Sequence, residues 1–159
     1  MPRRDAGFSL VEVMVALFLA ALSAAAVIAS IPPPVPEEEQ AAQRLAAALT
    51  RAQRAAVIDG ATIGLDVATA GYGFVVWDNG NWRMLDRASG LGGGDWPSGA
   101  LGMVEGEAAS AEAPEGFPDL VFDETGGATP FLIRIVGVRH SALVRGDAAG
   151  AIAVETPDA

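Results

Sequence analysis

An apolar run from Phe8 to Ile31, broken by a single charge at Glu12, constrains this chain more than any other feature. As a helix it would extend roughly 36 Å, enough to cross a hydrocarbon core of about 30 Å. A carboxylate inside such a span costs about 3 kcal/mol or more and is by default functional. Arg3 and Arg4 precede the run and acidic residues follow it. The positive-inside rule therefore places the N-terminus in the cytoplasm and the remainder outside. At about 100° per residue, Ser9, Glu12, Val13, Ala16, Ala20, Ser23 and Ala24 share one side. Leu10, Met14, Leu17, Phe18, Leu22 and Ile28 share the other. Small residues on one face let neighbouring helices approach closely in lipid.

Two other readings of this segment stand beside a functional anchor. One is a plain anchor with a tolerated glutamate near its end. The other is a cleavable secretory signal, with Val27-Ile28-Ala29 as the small-residue site and Ser30 as the new terminus. Against cleavage there, the apolar run is longer than a usual signal core, and the glutamate falls inside it. Arg3-Arg4 also invites a twin-arginine reading, for which Asp5-Ala6-Gly7 is a poor continuation.

The chain has 159 residues, room for one membrane segment and one modest domain. Its lack of cysteine excludes a disulfide framework, a thiol nucleophile and a cysteine metal site. The net charge is −10, and all ten basic residues are arginine. A body this acidic is unsuited to neutralising nucleic-acid phosphates or lying on anionic lipid.

Ile31-Pro32-Pro33-Pro34-Val35-Pro36 breaks or sharply bends any continuous helix, because proline lacks an amide donor and clashes with the preceding turn. A second helix is predicted over 37–58. Pro36 and Glu37-Glu38-Glu39 suit its start, and Asp59-Gly60 its end. Ala41, Ala42, Leu45, Ala48, Leu49, Ala52 and Ala56 form its apolar stripe, and Gln40, Gln43, Arg44, Arg51 and Arg54 take the other face. From Ala61 the pattern becomes strand-like. Strands are predicted at 62–67, 72–77, 82–85, 101–105, 120–122, 130–136, 141–144 and 151–154. Asp78-Asn79-Gly80-Asn81 is a hairpin turn, and Asp86–Gly99 and Gly106–Pro118 are loops. One helix followed only by strands implies an α+β fold, the second helix laid on antiparallel β-sheets.

Signals for chemistry are weak. His140 is the lone histidine, and Ser141 or Ser110 could only formally complete a triad with it, since no nucleophile-elbow sequence is present. Asp119, Asp123 and Glu124 could approach one another, as could Glu105 and Glu107, but no calcium-loop spacing accompanies them. Trp77, Trp82 and Trp96 are read as hairpin and core packing, with an aromatic binding platform as the alternative. Gly92-Gly93-Gly94 lacks the context of a phosphate loop.

The stretch GFSLVEVMVALFLAAL resembles the class III signal of type IV pilins and type II secretion pseudopilins. Four later stretches are similar to the H-type minor pseudopilins of that superfamily, the GspH/FimT group. They are Arg44–Ala56, Trp96-Pro97-Ser98-Gly99, and the pair Thr129–Arg134 with Gly146–Ile152. The resemblance implies a 1–7 prepilin leader, cleavage between Gly7 and Phe8 by a prepilin peptidase, and methylation of the Phe8 amine. It implies that Glu12, the fifth mature residue, pairs with the amine of a neighbouring Phe8 during assembly. It further implies a membrane helix over 8–31, a Pro-rich break over 32–36 that departs from the family pattern, and a pilin-like periplasmic domain over 37–159, its β region at 61–155. The partners implied are the major pseudopilin, other minor pseudopilins and secreted cargo, with the chain held in the bacterial inner membrane near the tip of a pseudopilus. The related major pseudopilins bind calcium, but no matching ligand loop is evident here; as a structural subunit the chain is expected to have no enzymatic activity, metal or cofactor. A minor pilin of a type IV pilus is the nearest alternative, and an unrelated membrane-anchored or secreted binding domain or hydrolase is one of a different class.

Overall fold

The computed structural model describes residues 9–30, 34–86, 89–105 and 116–156. These form two compact units that divide between Pro34 and Val35. The first contains α1, Leu10–Ala29, a helix that buries none of its residues. The second begins with α2, Glu37–Asp59. Pro34–Pro36 has no regular structure, and Ile31–Pro33 lies outside the described residues.

α2 starts directly after Pro36, whose extended backbone (ψ 146°) feeds the first turn. Proline costs nothing there, since that amide has no partner inside a helix. Glu37, Glu38 and Glu39 place negative charge at the positive end of the helix dipole. Gly60 ends the helix in the left-handed conformation at φ 59°, and the Ala61 amide donates back to the Ala56 carbonyl at 3.0 Å. That closing bond requires the positive φ that glycine adopts without steric penalty.

Among the described residues nine strands follow, in two antiparallel sheets. In the first, the order is β3 (Asn81–Met84), β2 (Gly71–Asp78), β1 (Ile63–Ala68) and β6 (Leu120–Phe122). A two-residue strand, β4 (Gly94–Asp95), pairs with Gly71 and Tyr72 of β2. It shares the edge of β2 with β3, which takes the stretch from Val75 to Asp78. The second sheet runs β5 (Leu101–Glu105), β7 (Phe131–Val136), β8 (Ser141–Gly146) and β9 (Ile152–Glu155). Its hairpin partners are in straightforward register, with Ile133 opposite Val144 and Ile135 opposite Ala142. The turn between β2 and β3 has Asn79 at φ 49° and Gly80 at φ 87°, the two positive values of a type I′ hairpin.

α2 packs against β7, β8 and β9 of the second sheet and β1 and β6 of the first. Its seven buried residues are Ala41, Ala42, Leu45, Ala48, Leu49, Ala52 and Ala56. Five alanines among them keep the helix close to the sheets, and Leu45 and Leu49 fill the space between. Their buried surroundings include Leu65, Phe74, Phe122, Ile133, Ile135 and Val144.

Two features depart from the expected strand pattern. The segment 86–99 is not wholly a loop, because β4 lies within it and Trp96 is buried behind it. The glycines allow this: a Cβ at Gly93 would collide with the Tyr72 carbonyl. β8 also runs two residues past Val144, to Gly146, which lies opposite Phe131. Gly106–Glu115 lies outside the described residues.

Candidate functional site

Glu12 sits in the first turn of α1, exposed on a helix whose apolar side chains are exposed on every side. Its amide donates to the Ser9 carbonyl at 3.0 Å. The serines of α1 satisfy themselves locally: Ser23 Oγ donates to the Leu19 carbonyl and Ser30 Oγ to the Ala26 carbonyl, both at 2.8 Å. Among the described residues, no ion pair involves the Glu12 carboxylate. α1 is long and apolar enough to cross a membrane. A helix apolar all round that buries nothing in its own chain needs lipid or other helices as its surroundings. Gly7 and Phe8 lie outside the described residues.

The other candidates resolve into structural roles. His140 is exposed in the turn between β7 and β8, where its carbonyl accepts from the Gly137 amide at 2.9 Å. Asp119 Oδ2 accepts from the Val67 amide at 2.7 Å, bracing β1. Asp123 Oδ1 accepts from the Thr125 amide and hydroxyl at 2.8 and 2.6 Å and from the Gly127 amide at 3.0 Å. The Thr125 hydroxyl, then its amide, holds this carboxyl below its usual range. Glu105 takes a two-pronged contact from Arg134, at 2.6 and 3.0 Å, on the outer face of the second sheet. That hydrogen bond lowers the Glu105 pKa and raises that of Arg134. Ser110 and Glu107 lie outside the described residues, and among the described ones no three histidine or acidic side chains gather as metal ligands.

The three tryptophans divide. Trp77 and Trp82 meet edge to face across β2 and β3, their ring centres 5.2 Å apart, and Phe117 lies beside both. Trp96 is buried elsewhere, 5.1 Å from the Tyr72 ring, and its Nε1 donates to the Ala68 carbonyl at 2.9 Å. A Cβ at Gly102 would lie 2.5 Å from the Trp96 ring, so only glycine leaves room for it. Neither group forms a flat three-tryptophan platform.

Comparison with known proteins adds to this geometry. Residues 2–28 match the prokaryotic N-terminal methylation motif. Residues 41–150 match the family Type II transport protein GspH, a stretch that takes in α2 from Ala41 onward and the strands from β1 to β8. This chain belongs to the GspH family. No curated protein matches the sequence. Its fold is similar to that of the minor pseudopilin EpsH from the type 2 secretion system of Vibrio cholerae, at a TM-score of 0.63 and 18% identity. That alignment covers 77% of this chain and 98% of the other. It is also similar to the solution structure of E. coli GspH, at a TM-score of 0.57 and 16% identity, covering 73% and 85% of the two chains.

As a GspH-family protein, the chain is a minor pseudopilin of type II secretion, a structural subunit that assembles with other pseudopilins. The pilin-like fold expected from the sequence is present: an apolar N-terminal helix, a second helix, and antiparallel sheets packed on it. Two features of this GspH domain escaped the sequence reading. One is the Arg134–Glu105 pair, which the strand register brings together. The other is a cleft where Arg44 and Arg51 of α2 face Tyr72 and the Gly92–Trp96 segment.

Proposed function

We propose that this chain is processed between Gly7 and Phe8, methylated on the Phe8 amine, and built into a short periplasmic pseudopilus near its tip. There it supports export of folded proteins across the outer membrane. It does so as a packing subunit and not as a catalyst. Its N-terminus faces the cytoplasm, α1 crosses the inner membrane, and the domain from Val35 onward is periplasmic. Its partners are the prepilin peptidase, which acts once, the major pseudopilin and other minor pseudopilins.

The observation that carries this reading is Glu12, a carboxylate on a helix that is otherwise apolar and buries nothing. Such a charge persists where a partner compensates it. The methylated amine of a neighbouring Phe8 supplies the opposite charge. Two charges about 4 Å apart attract strongly once water is excluded, although desolvation offsets much of the gain.

The test combines intact mass with assembly. Native protein should begin at Phe8 with one added methyl, and Gly7→Val should remain uncut. Glu12→Ala should be cut and inserted normally, yet lose co-purification with other pseudopilins and reduce exoprotein release. Normal assembly and secretion by Glu12→Ala would remove the charge from the mechanism.

A further inference from the structure

The cleft beside α2 has a volume of about 460 Å³. Arg44 and Arg51, two turns apart on the exposed side of α2, form one wall. Tyr72, the three glycines from Gly92 and the side of Trp96 form the other. Neither arginine makes an ion pair among the described residues. Both act on the same phenol: burial pushes the Tyr72 pKa up, and the charges of Arg51 and Arg44 pull against that rise.

Two unpaired guanidinium groups at one concavity are unexpected on a chain of net charge −10. Nearby acidic residues of the same chain are available and do not pair with them. Asp95 lines the same cleft, and Glu37 lines the adjoining hollow that Arg44 shares. The glycines keep the opposite wall low, so the arginines stay accessible from outside.

The geometry points to a seat for an acidic side chain of a neighbouring subunit, with Arg44 and Arg51 binding its carboxylate and Tyr72 and Trp96 lining the cleft. Guanidinium groups match a carboxylate through paired N–H donors, and charge-assisted bonds of this kind are the stronger ones. A polyanion fits poorly. Asp95, Glu37 and the overall negative field would repel a nucleic acid or an anionic lipid surface, while a single carboxylate between the arginines meets two positive charges against the one negative charge of Asp95 in the cleft. The identity of the neighbour as a pseudopilin rests on the function proposed above, but the carboxylate chemistry does not.

Two experiments on the full chain test the seat. In the first, the detergent-solubilised protein is titrated with a labelled glycine-serine peptide that carries one glutamate and a blocked C-terminus, against its glutamine counterpart and inorganic phosphate. Saturable binding of the glutamate peptide is expected, weaker by roughly tenfold in the Arg44→Gln/Arg51→Gln double variant. Both positions are exposed, so the melting temperature should not move. Absence of binding, or equal binding by the variant, overturns the seat. Displacement by phosphate at concentrations like those of the peptide overturns its assignment to a peptide carboxylate. In the second, a photoreactive residue replaces Ala47, which lines the cleft between the two arginines. Adducts should form with another pseudopilin at a segment bearing aspartate or glutamate, and should fall several-fold in the double variant. If such adducts persist undiminished, the arginines are not the seat. If wild type associates with no pseudopilin at all, the proposed function fails, and the peptide titration alone decides the cleft.

Discussion

α1 and α2 are both alanine-rich helices of similar length, 20 and 23 residues, yet their surroundings are opposite. α1 has no buried residue, and Leu10 and Phe18 are 78% and 66% exposed. α2 buries seven residues, five of them completely. The difference lies in what shares the helix with the alanines. Apolar residues, small on one side and bulky on the other, lie all around α1, so no single face can satisfy it within a small domain. On α2 the leucines are confined to one stripe, with glutamate, glutamine and arginine opposite and Val57 and Ile58 exposed in the last turns, so one sheet system covers most of what must be covered. Alanine content therefore decides little, and the angular distribution of the larger side chains decides which helix stays in its own domain.

Leucine-to-alanine substitutions midway along the two helices should break this comparison most clearly. Leu49→Ala removes a fully buried side chain from the centre of α2 and should destabilise the domain by about 2–5 kcal/mol. Leu22→Ala in α1 should leave that stability unchanged, as read by thermal melting in detergent. Equal losses would mean that α1 contributes to the domain's core. A smaller loss is expected at Gly102→Ala, where the added methyl overlaps the ring of Trp96. Overpacking there should cost about 1–3 kcal/mol and change tryptophan fluorescence. Gly60→Ala tests the end of α2. Its cost should be near ~1 kcal/mol, from forcing alanine into the left-handed conformation, with no change in the fold.

The smallest effect should come from the exposed carboxylates. Asp123 is held low by its bonds from Thr125, and Glu105 by its bond from Arg134. A carboxyl whose pKa falls on folding stabilises the native state above its unfolded value. That contribution is lost as the pH drops through the lowered folded value. The melting temperature should therefore decline below about pH 4. The decline should be shallower in Asp123→Asn and Glu105→Gln than in wild type. Asp123 is exposed and Glu105 half-exposed, so screening by water keeps the effect small. An identical acid limb in the variants would show that other carboxylates carry it.

Much of the fold was legible in the sequence. Helical spacing of Leu45, Leu49 and the alanines marked the buried stripe of α2, because side chains three and four residues apart must share a face. Asp78-Asn79-Gly80-Asn81 marked a hairpin, because two successive positive φ values suit asparagine and glycine. Glu12 stood out because few environments tolerate a carboxylate within an apolar run. β4 was not legible, since two residues of a glycine-rich segment carry no alternation to detect. Nor was the cleft: Arg44 and Arg51 read as ordinary solvated residues on the polar face of α2.

The sequence by itself determined which segments are helical, which strands other than β4 follow, and that one helix carries a single charge in an apolar run. Those properties depend on residues close together in the chain, where spacing fixes direction. Only the tertiary structure decided that the strands divide into two sheets and that β3 and β4 share one edge of β2. It also decided that Arg134 meets Glu105, and that two arginines of α2 face Tyr72 across a cleft. Alternation along a strand tells which side chains point the same way, but not which distant strand lies beside them. That choice is made by packing, when the sheets close over Leu45 and Leu49 and bring residues far apart in the chain to one surface.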